Sequence, residues 1–596
     1  MTSSATPRDH YTRGLAERTA RLGDLSARRD RLGYFRLATA AVIVALVWLA
    51  IQGQVPLWTV AAPIALFVAF LWLQSRIERT AECTRRSTKF FEHGIARLDN
   101  RWQGAGETGE RFIDPHHPYS ADLDLFGRAS LFELLSTART RGGEARLAQW
   151  LQSPASIEEL RERHRAVEEL RPLVDLREQL AVLGDDFRTG VNPHHLAQWS
   201  NTPAQPFPLW RRLAAPPLAL IAAAILGWWI STLFVGIAAT RAVVALVLVE
   251  GAFGLSIRHR ILSVVAGIGE PAHDLDLLSQ ILATLERQQF QSPRLAALRA
   301  ALNVAGDPAS RRIARLRRLM ELLDSRENPL IRAVDHPLLW TTQVAMAIEA
   351  WRARNGALIG GWLEAVGEIE ALSCLANYAW EHPADPFPEF AAGAVFDAED
   401  IGHPLLPEER CVRNSVALAD PVRLLVVSGS NMSGKSTLLR AAGINTVLAL
   451  AGAPVRAKRL TISRLSLGAS IRTMDSLEEG HSRFMAEILR LKQILELPAP
   501  AFFLLDELLH GTNSHDRAIG AEGLIRALID RGAIGLATTH DLSLARVATD
   551  LAPAALNVHF EDRLENGRLV FDYRMRPGVV TRSNALDLMR AVGLNV

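Results

Sequence analysis

The 596-residue chain carries 66 Lys and Arg against 64 Asp and Glu, a net charge of only +2, and three cysteines. Such a length exceeds one domain, and the near-neutral charge argues against a chain that coats nucleic acid along its whole length. Cys83, Cys374 and Cys411 are too few and scattered to indicate a disulfide framework or a zinc site. Hydrophobic residues reach 49% with a mean hydropathy of +0.09, which suits a soluble protein carrying a few membrane spans.

Residues 1–33 form a basic tail with Arg8, Arg13, Arg18, Arg21, Arg28, Arg29 and Arg31. Tyr34 to Ile51 and Leu57 to Leu73 follow, uncharged apart from Arg36. Each is long enough to cross a hydrocarbon core of roughly 30 Å. Gln52-Gly-Gln-Val-Pro56 reads as the turn between them, so the sequence predicts a transmembrane hairpin over 34–75. The exit is basic (Arg76, Arg79, Arg85, Arg86, Lys89) and the turn is not, which places both ends in the cytoplasm. A cleavable signal peptide is not expected, because the basic region is long and the first apolar segment leads straight into a second.

Residues 76–212 read as the first part of a helical core, followed by a second apolar block, Leu213 to Ile257, about twice the spanning length. With Trp228 and Trp229 at an interface and Arg211, Arg212, Arg258 and Arg260 flanking it, the block 213–257 reads as a second hairpin. Arg241 and Glu250 are its charged positions, and Glu250 is expected to pair or to face other helices. A buried soluble hairpin is the alternative for each block. Four spans return the remaining chain to the side of the N-terminus, giving a protein integral to the cytoplasmic (inner) membrane. In 258–390 the apolar spacing of 272–324 and 336–379 is helical, as in long packed helices. Arg311-Arg312-Ile-Ala-Arg315-Leu-Arg317-Arg318 lies on one such helix, either as a phosphate-contacting surface or, the preferred reading, as a solvated or anionic-lipid-facing side.

Residues 391–596 carry the chemistry. Gly429, Ser430, Asn431, Met432, Ser433, Gly434, Lys435, Ser436 and Thr437 satisfy the spacing of a phosphate-binding P-loop. Its glycines let successive N–H groups face the phosphates, Lys435 reaches the β/γ oxygens of ATP or GTP, and Ser436 ligates Mg2+. The apolar run Val422 to Val427 supplies the preceding strand and Thr437 to Leu448 the following helix. A second strand, Phe502 to Leu505, ends in Asp506-Glu507, where Asp506 serves the Mg2+ shell and Glu507 orients and deprotonates the attacking water. A third, Ala533 to Ala537, runs into Thr538-Thr539-His540-Asp541, placing His540 near the γ-phosphate.

These residues and the segment between them resemble the MutS family of ATPases, a branch of the ABC-type fold. Gly-Ser-Asn-Met-Ser-Gly-Lys-Ser-Thr is similar to the family's GPNMGGKST, and Asp475 to Glu487 matches its signature D-x-L-x-x-G-x-S-x-F-x-x-E through Gly480, Ser482 and Phe484. Asp506 to Asp516, with Gly511-Thr512, is similar to the family's Walker B strand and following loop. Gly402-His403-Pro404 and Asn414 look like the approach to its nucleotide site, but Cys411 stands where many members place an aromatic, which puts adenine stacking in doubt. Asp122 to Pro154 resembles the start of the MutS core and Glu368 to Ala376 the end of its lever helices.

The resemblance implies an α/β P-loop NTPase of ABC/MutS type, preceded by an all-α core and lever region that transmembrane hairpins interrupt. It also implies a head-to-tail homodimer, in which one subunit supplies Lys435, Ser436, Asp506, Glu507 and His540 and the other supplies Ser482. No domain the size of the family's mismatch reader precedes residue 80, and no Smr nuclease follows, so standard mismatch reading and DNA cutting are not expected. Two classes of function remain: a membrane-tethered MutS relative that engages DNA, or an ABC-like transporter. An ATP-driven scaffold without DNA is the third option.

Overall fold

A computed structural model describes residues 6–184, 193–204, 207–232, 236–267, 272–304, 306–430, 432–472, 483–509, 514–540, 542–565 and 568–579. The chain forms two compact units, one of Met1–Thr137, Glu144–Val174 and Ala371–Val596, the other of Ala138–Gly143 and Asp175–Glu370.

The first unit begins with two long antiparallel helices, Pro7–Ile51 and Ala61–Leu98. Thr6 and Asp9 cap the first reciprocally, satisfying N–H groups that have no partner inside the helix. The basic segment read as a tail is therefore mostly helix, continuous with the apolar segment that follows. Tyr11 packs edge-on against Phe90 and Phe91 and lies over Gly94, where a Cβ would come within 2.5 Å of its ring. Further along, the side chains from Tyr34 to Trp72 are largely exposed and apolar, Trp48, Trp58 and Trp72 among them.

The segment that resembles the MutS core docks on the two-sheet part of the same unit, residues 389–577. Asp122 accepts hydrogen bonds from the Ile471 and Arg472 amides, both at 2.8 Å, and Asp124 pairs with Arg440 and Arg472. Arg163, on the helix Ile157–Leu170, donates to the Ala451 carbonyl at 2.9 Å and stacks over Trp150. It thereby satisfies one of the carbonyls left open where the P-loop helix, Lys435–Ala451, ends.

In the second unit the hairpin Leu209–Ser231 and Ile237–Leu255 packs against the amphipathic helix Pro329–Leu338. Glu250 is buried, 7% exposed, whereas Arg241 is exposed. Among the described residues, four helices are long and apolar enough to cross a membrane, these two and the N-terminal pair. Elsewhere in the unit the helices Ala272–Arg287 and Ala309–Asp324 pack together, the second following a two-strand ribbon of β1 (Asn303–Val304) and β2 (Asp307–Pro308). The ribbon anchors the arginine cluster: Arg312 and Arg315 both pair with Asp307, Arg312 also donates to Asn355, and Arg317 pairs with Asp276. Three of its five arginines are thus engaged within the fold. The helix Trp340–Glu381 is 42 residues long and contributes 340–370 to this unit and 371–381 to the first.

Residues 389–577 form two sheets. A smaller one orders β3 (Glu389–Phe390), β7 (Arg459–Ile462), β4 (Phe396–Ile401) and β5 (Asn414–Leu418). The larger comprises β6 (Leu424–Ser428), β8 (Ser466–Ser470), β9 (Ala501–Leu505), β10 (Ile534–Thr539), β11 (Ala555–Glu565) and β12 (Arg568–Pro577), in the order β12-β11-β6-β10-β9-β8. All its pairings are parallel except β11 with β12. Strands β6, β9 and β10 are wholly buried, which explains why they read as continuous apolar runs. Parallel packing sends their C-terminal ends to one edge of the sheet, where open α/β folds bind ligands.

Candidate functional site

The turn from β6 into the helix Lys435–Ala451 departs from ordinary backbone geometry at three places: φ is +147° at Gly429, +71° at Met432 and +106° at Gly434. A Cβ at Gly429 would lie 2.9 Å from Ser433 Oγ and 3.0 Å from the Phe560 carbonyl, so the tight loop requires glycine there. Lys435, 4% exposed, donates from Nζ to the Gly429 carbonyl at 2.8 Å and the Ser430 carbonyl at 2.9 Å. Burial lowers its ammonium below the usual lysine range, against the opposing pull of Glu507 and Asp506. The hydroxyls of Ser430 and Ser433 are buried without a hydrogen-bond partner, while Ser436 and Thr437 are exposed in the first turn of the helix. This lining of orphan hydroxyls, helix N-terminus and lysine fits a polyphosphate.

Asp506 and Glu507 follow the last residue of β9. Thr538, at the end of β10, donates its hydroxyl to Asp506 and accepts the Glu507 amide at 3.1 Å, so one side chain fixes both acidic residues. Glu507 has φ +48°, a left-handed conformation costly for a residue with a side chain. Its Oε1 lies 3.9 Å from Lys435 Nζ and 3.6 Å from His540 Nδ1. Lys435, Glu507 and His540, predicted from three separate stretches of sequence, therefore meet at one place. Asp506 and Ser436, the predicted Mg2+ ligands, supply the hard oxygen donors that this cation takes.

The described end of the signature segment also reaches this site. Glu487, on the helix Arg483–Leu495, accepts the Leu509 amide at 2.6 Å just beyond the acidic pair. Asn431, Asp475 to Ser482, Gly511, Thr512 and Asp541 lie outside the described residues.

Cys411 is half-buried and accepts the His403 amide at 3.3 Å, so it supports the Gly402-His403 turn from inside. His403 is itself buried, which together with Arg440 and Arg456 lowers its imidazole to about 4. The aromatic beside the P-loop is instead Tyr573 on β12, whose ring would lie 3.2 Å from a Cβ at Gly434. Asn414 holds that strand in place, donating to the Tyr573 carbonyl at 3.0 Å and accepting the Met575 amide at 2.7 Å. Sequence reasoning missed Tyr573. The signal available was an aromatic residue in the alternating apolar and charged run Arg568 to Pro577.

A family model for MutS domain V matches residues 425–595, which include the P-loop, the acidic pair, His540 and Tyr573. Residues 425–595 of the chain are thus similar to MutS domain V, and the MutS and MutS2 relatives support a MutS-family assignment for that part. It is 32% identical over 241 residues to Endonuclease MutS2 of Thermus thermophilus, covering 39% of this chain and 30% of that one. With Endonuclease MutS2 of Shouchella clausii it shares 34% identity over 202 residues, 33% of this chain and 25% of the other. With the DNA mismatch repair protein MutS of Desulfosudis oleivorans the identity is 31% over 236 residues, 38% and 27% of the two chains. The likeness thus spans about a third or less of each curated relative, and the P-loop ATPase domain is where the MutS assignment is anchored.

Proposed function

We propose that this protein is a membrane-anchored MutS-family ATPase that hydrolyses ATP with Mg2+ at a site completed by a second copy of the chain. The observation that carries the hydrolytic reading is the meeting of Lys435, Glu507 and His540 at the C-terminal edge of the parallel sheet. In this reading the triphosphate lies along 429–437, and its oxygens replace the Gly429 and Ser430 carbonyls as partners of Lys435. Ser436 and Asp506 would hold Mg2+, which would supply charge neutralisation to the triphosphate. Glu507 takes the proton of the attacking water, His540 orients the γ-phosphate and Glu507, and Ser482 of the second copy closes the shell from the opposite side. Tyr573 supports the adenine ring.

The membrane reading rests on the length, composition and exposure of the two apolar hairpins and on their arginine-rich flanks. It places the N-terminus and the ATPase domain in the cytoplasm, with four helices in the cytoplasmic membrane. Engagement of DNA is supported by the likeness to a DNA mismatch repair protein, and its coupling to lever movement is part of the proposal. The decisive experiment measures ATPase rates of the detergent-solubilised full chain with no DNA and with homoduplex, mismatched and branched DNA. A rate raised by DNA and abolished by Glu507→Gln supports the proposal. A rate indifferent to every DNA leaves a transporter or scaffold, separated by transport in vesicles. Native hydrolysis in the Glu507→Gln variant, or full activity in a strictly monomeric form, refutes the site as drawn.

A further inference from the structure

We propose that the base of the N-terminal hairpin is a docking surface for anionic phospholipid headgroups, an inference that rests on the membrane reading above. The apolar part of the first helix, Tyr34 to Ile51, is 18 residues and spans about 27 Å at 1.5 Å per residue, close to one hydrocarbon thickness. Tyr34 and Trp72 mark its lower edge, both exposed, as aromatic residues do at a membrane–water interface. Arg36 donates to Gln74 at 2.5 Å across the two helices, so both chains pass this edge at nearly the same level.

Below stand Arg31 and Arg76, about 4.5 and about 6 Å beyond Tyr34 and Trp72 along their respective helices, within the depth of the headgroup layer. Arg76 lies over the Trp72 ring at 3.8 Å, which holds its guanidinium at the edge of the apolar belt. One further turn down, Arg28 and Arg79 are exposed and make no ion pair among the described residues. The neighbouring carboxylates offset this collar only in part: Asp30 is paired with Arg29, and Glu78, which accepts a hydrogen bond from Gln74, leaves Arg28, Arg31, Arg76 and Arg79 in excess. Guanidinium groups at this height meet phosphate oxygens in bidentate geometry, and a lipid negative charge within a Debye length adds attraction that zwitterionic lipid lacks. Placement against the apolar belt favours lipid over nucleic acid, since a duplex reaching Arg31 and Arg76 would have to lie in the headgroup layer.

The test uses the full chain in detergent, incubated with equal amounts of phosphatidylglycerol and phosphatidylcholine and examined by native mass spectrometry. Phosphatidylglycerol is expected to be retained in preference by on the order of tenfold. The triple variant R28Q/R31Q/R79Q is expected to lose most of that preference while keeping basal ATPase activity, because all three side chains are exposed and distant in sequence from the P-loop. An unchanged lipid ratio in the triple variant overturns the collar. Binding of a labelled DNA duplex that the triple variant loses, with no lipid preference, also overturns it and assigns the arginines to nucleic acid. Alkaline carbonate extraction of cell membranes separates the two levels: release of the chain refutes the membrane reading and the collar together, whereas retention with an unchanged lipid ratio refutes the collar alone.

Discussion

Glu381, the last residue of the helix Trp340–Glu381, should be among the least replaceable side chains outside the nucleotide site. Its carboxylate is gripped by Arg97 of the second helix, through Nε at 3.0 and 2.9 Å and Nη2 at 2.7 Å, by the Tyr11 hydroxyl at 2.8 Å and by Asn377 at 2.9 Å. The side chains of Arg97 and Glu381 are 12% and 2% exposed. Removing one partner of such a pair leaves an uncompensated buried charge and costs about 3–5 kcal/mol. Glu381→Ala should therefore open the contact between the N-terminal hairpin and the end of this helix. If protection there is limited by local opening, amide exchange in peptides covering 90–98 and 371–381 should accelerate by about two to four orders of magnitude. Hydrogen-exchange mass spectrometry reads this locally, where a melting temperature would mix several cooperative units. The double variant Arg97→Met/Glu381→Leu removes both charges and should recover most of the protection. Protection unchanged within twofold in Glu381→Ala, or no recovery in the double variant, would refute the reasoning. Burial alone would raise the Glu381 carboxyl, but Arg97 overrides it and holds the group below the usual glutamate range. The contact is then at full strength above the unfolded glutamate range and is lost as pH falls below it.

Other expectations concern the nucleotide site. Glu507→Gln should lower the hydrolysis rate by about 10²–10⁴-fold while ATP binding, followed by fluorescent-analogue titration, persists. Tyr573→Ala should raise the KM for ATP several-fold with little change in kcat, since the ring stands beside the P-loop at Gly434; the reverse split in steady-state kinetics would contradict a binding role. For His403 the buried imidazole titrates near 4 against 6.5 when free, so the unfolded state binds more protons between these values and stability rises with pH across that window. A shift of this size is worth about 3 kcal/mol, and His403→Asn should flatten the acid limb of urea-denaturation stability between pH 4 and 6.5.

The nucleotide site was legible because its chemistry is local in sequence: a P-loop needs glycines and a lysine at set spacing, and buried parallel strands announce themselves as apolar runs. Asp506, Glu507 and His540 could be expected at one edge because each follows such a run, where sheet topology sends strand ends to a common edge. Thr538 was read as part of a motif without its role, since nothing in sequence shows that a hydroxyl on β10 would tie together two acidic residues 31 and 32 positions earlier. Tyr573 was missed for a related reason: β12 reaches the P-loop only through its antiparallel pairing with β11, which in turn pairs with β6. Position alone pointed to Cys411, yet its sulfur serves the His403 turn. The basic N-terminal segment shows the limit most clearly. Counting arginines identified a cationic stretch, but Tyr11, a single aromatic in that stretch, joins the helix to Glu381 some 370 residues away. Such long-range pairs depend on three helices converging, and no local periodicity encodes where a helix 45 residues long will be met by the end of another. The consequence is physical: the N-terminal hairpin is fastened eight positions before β3, where the chain enters the ATPase sheets, so a displacement of those strands that moves residues 377–381 must move Tyr11 and Arg97 with them or break the contact. Locking that contact with a disulfide between the two elements should then slow ATP turnover if the displacement is part of the cycle, and an unchanged rate would separate the hairpin from the ATPase.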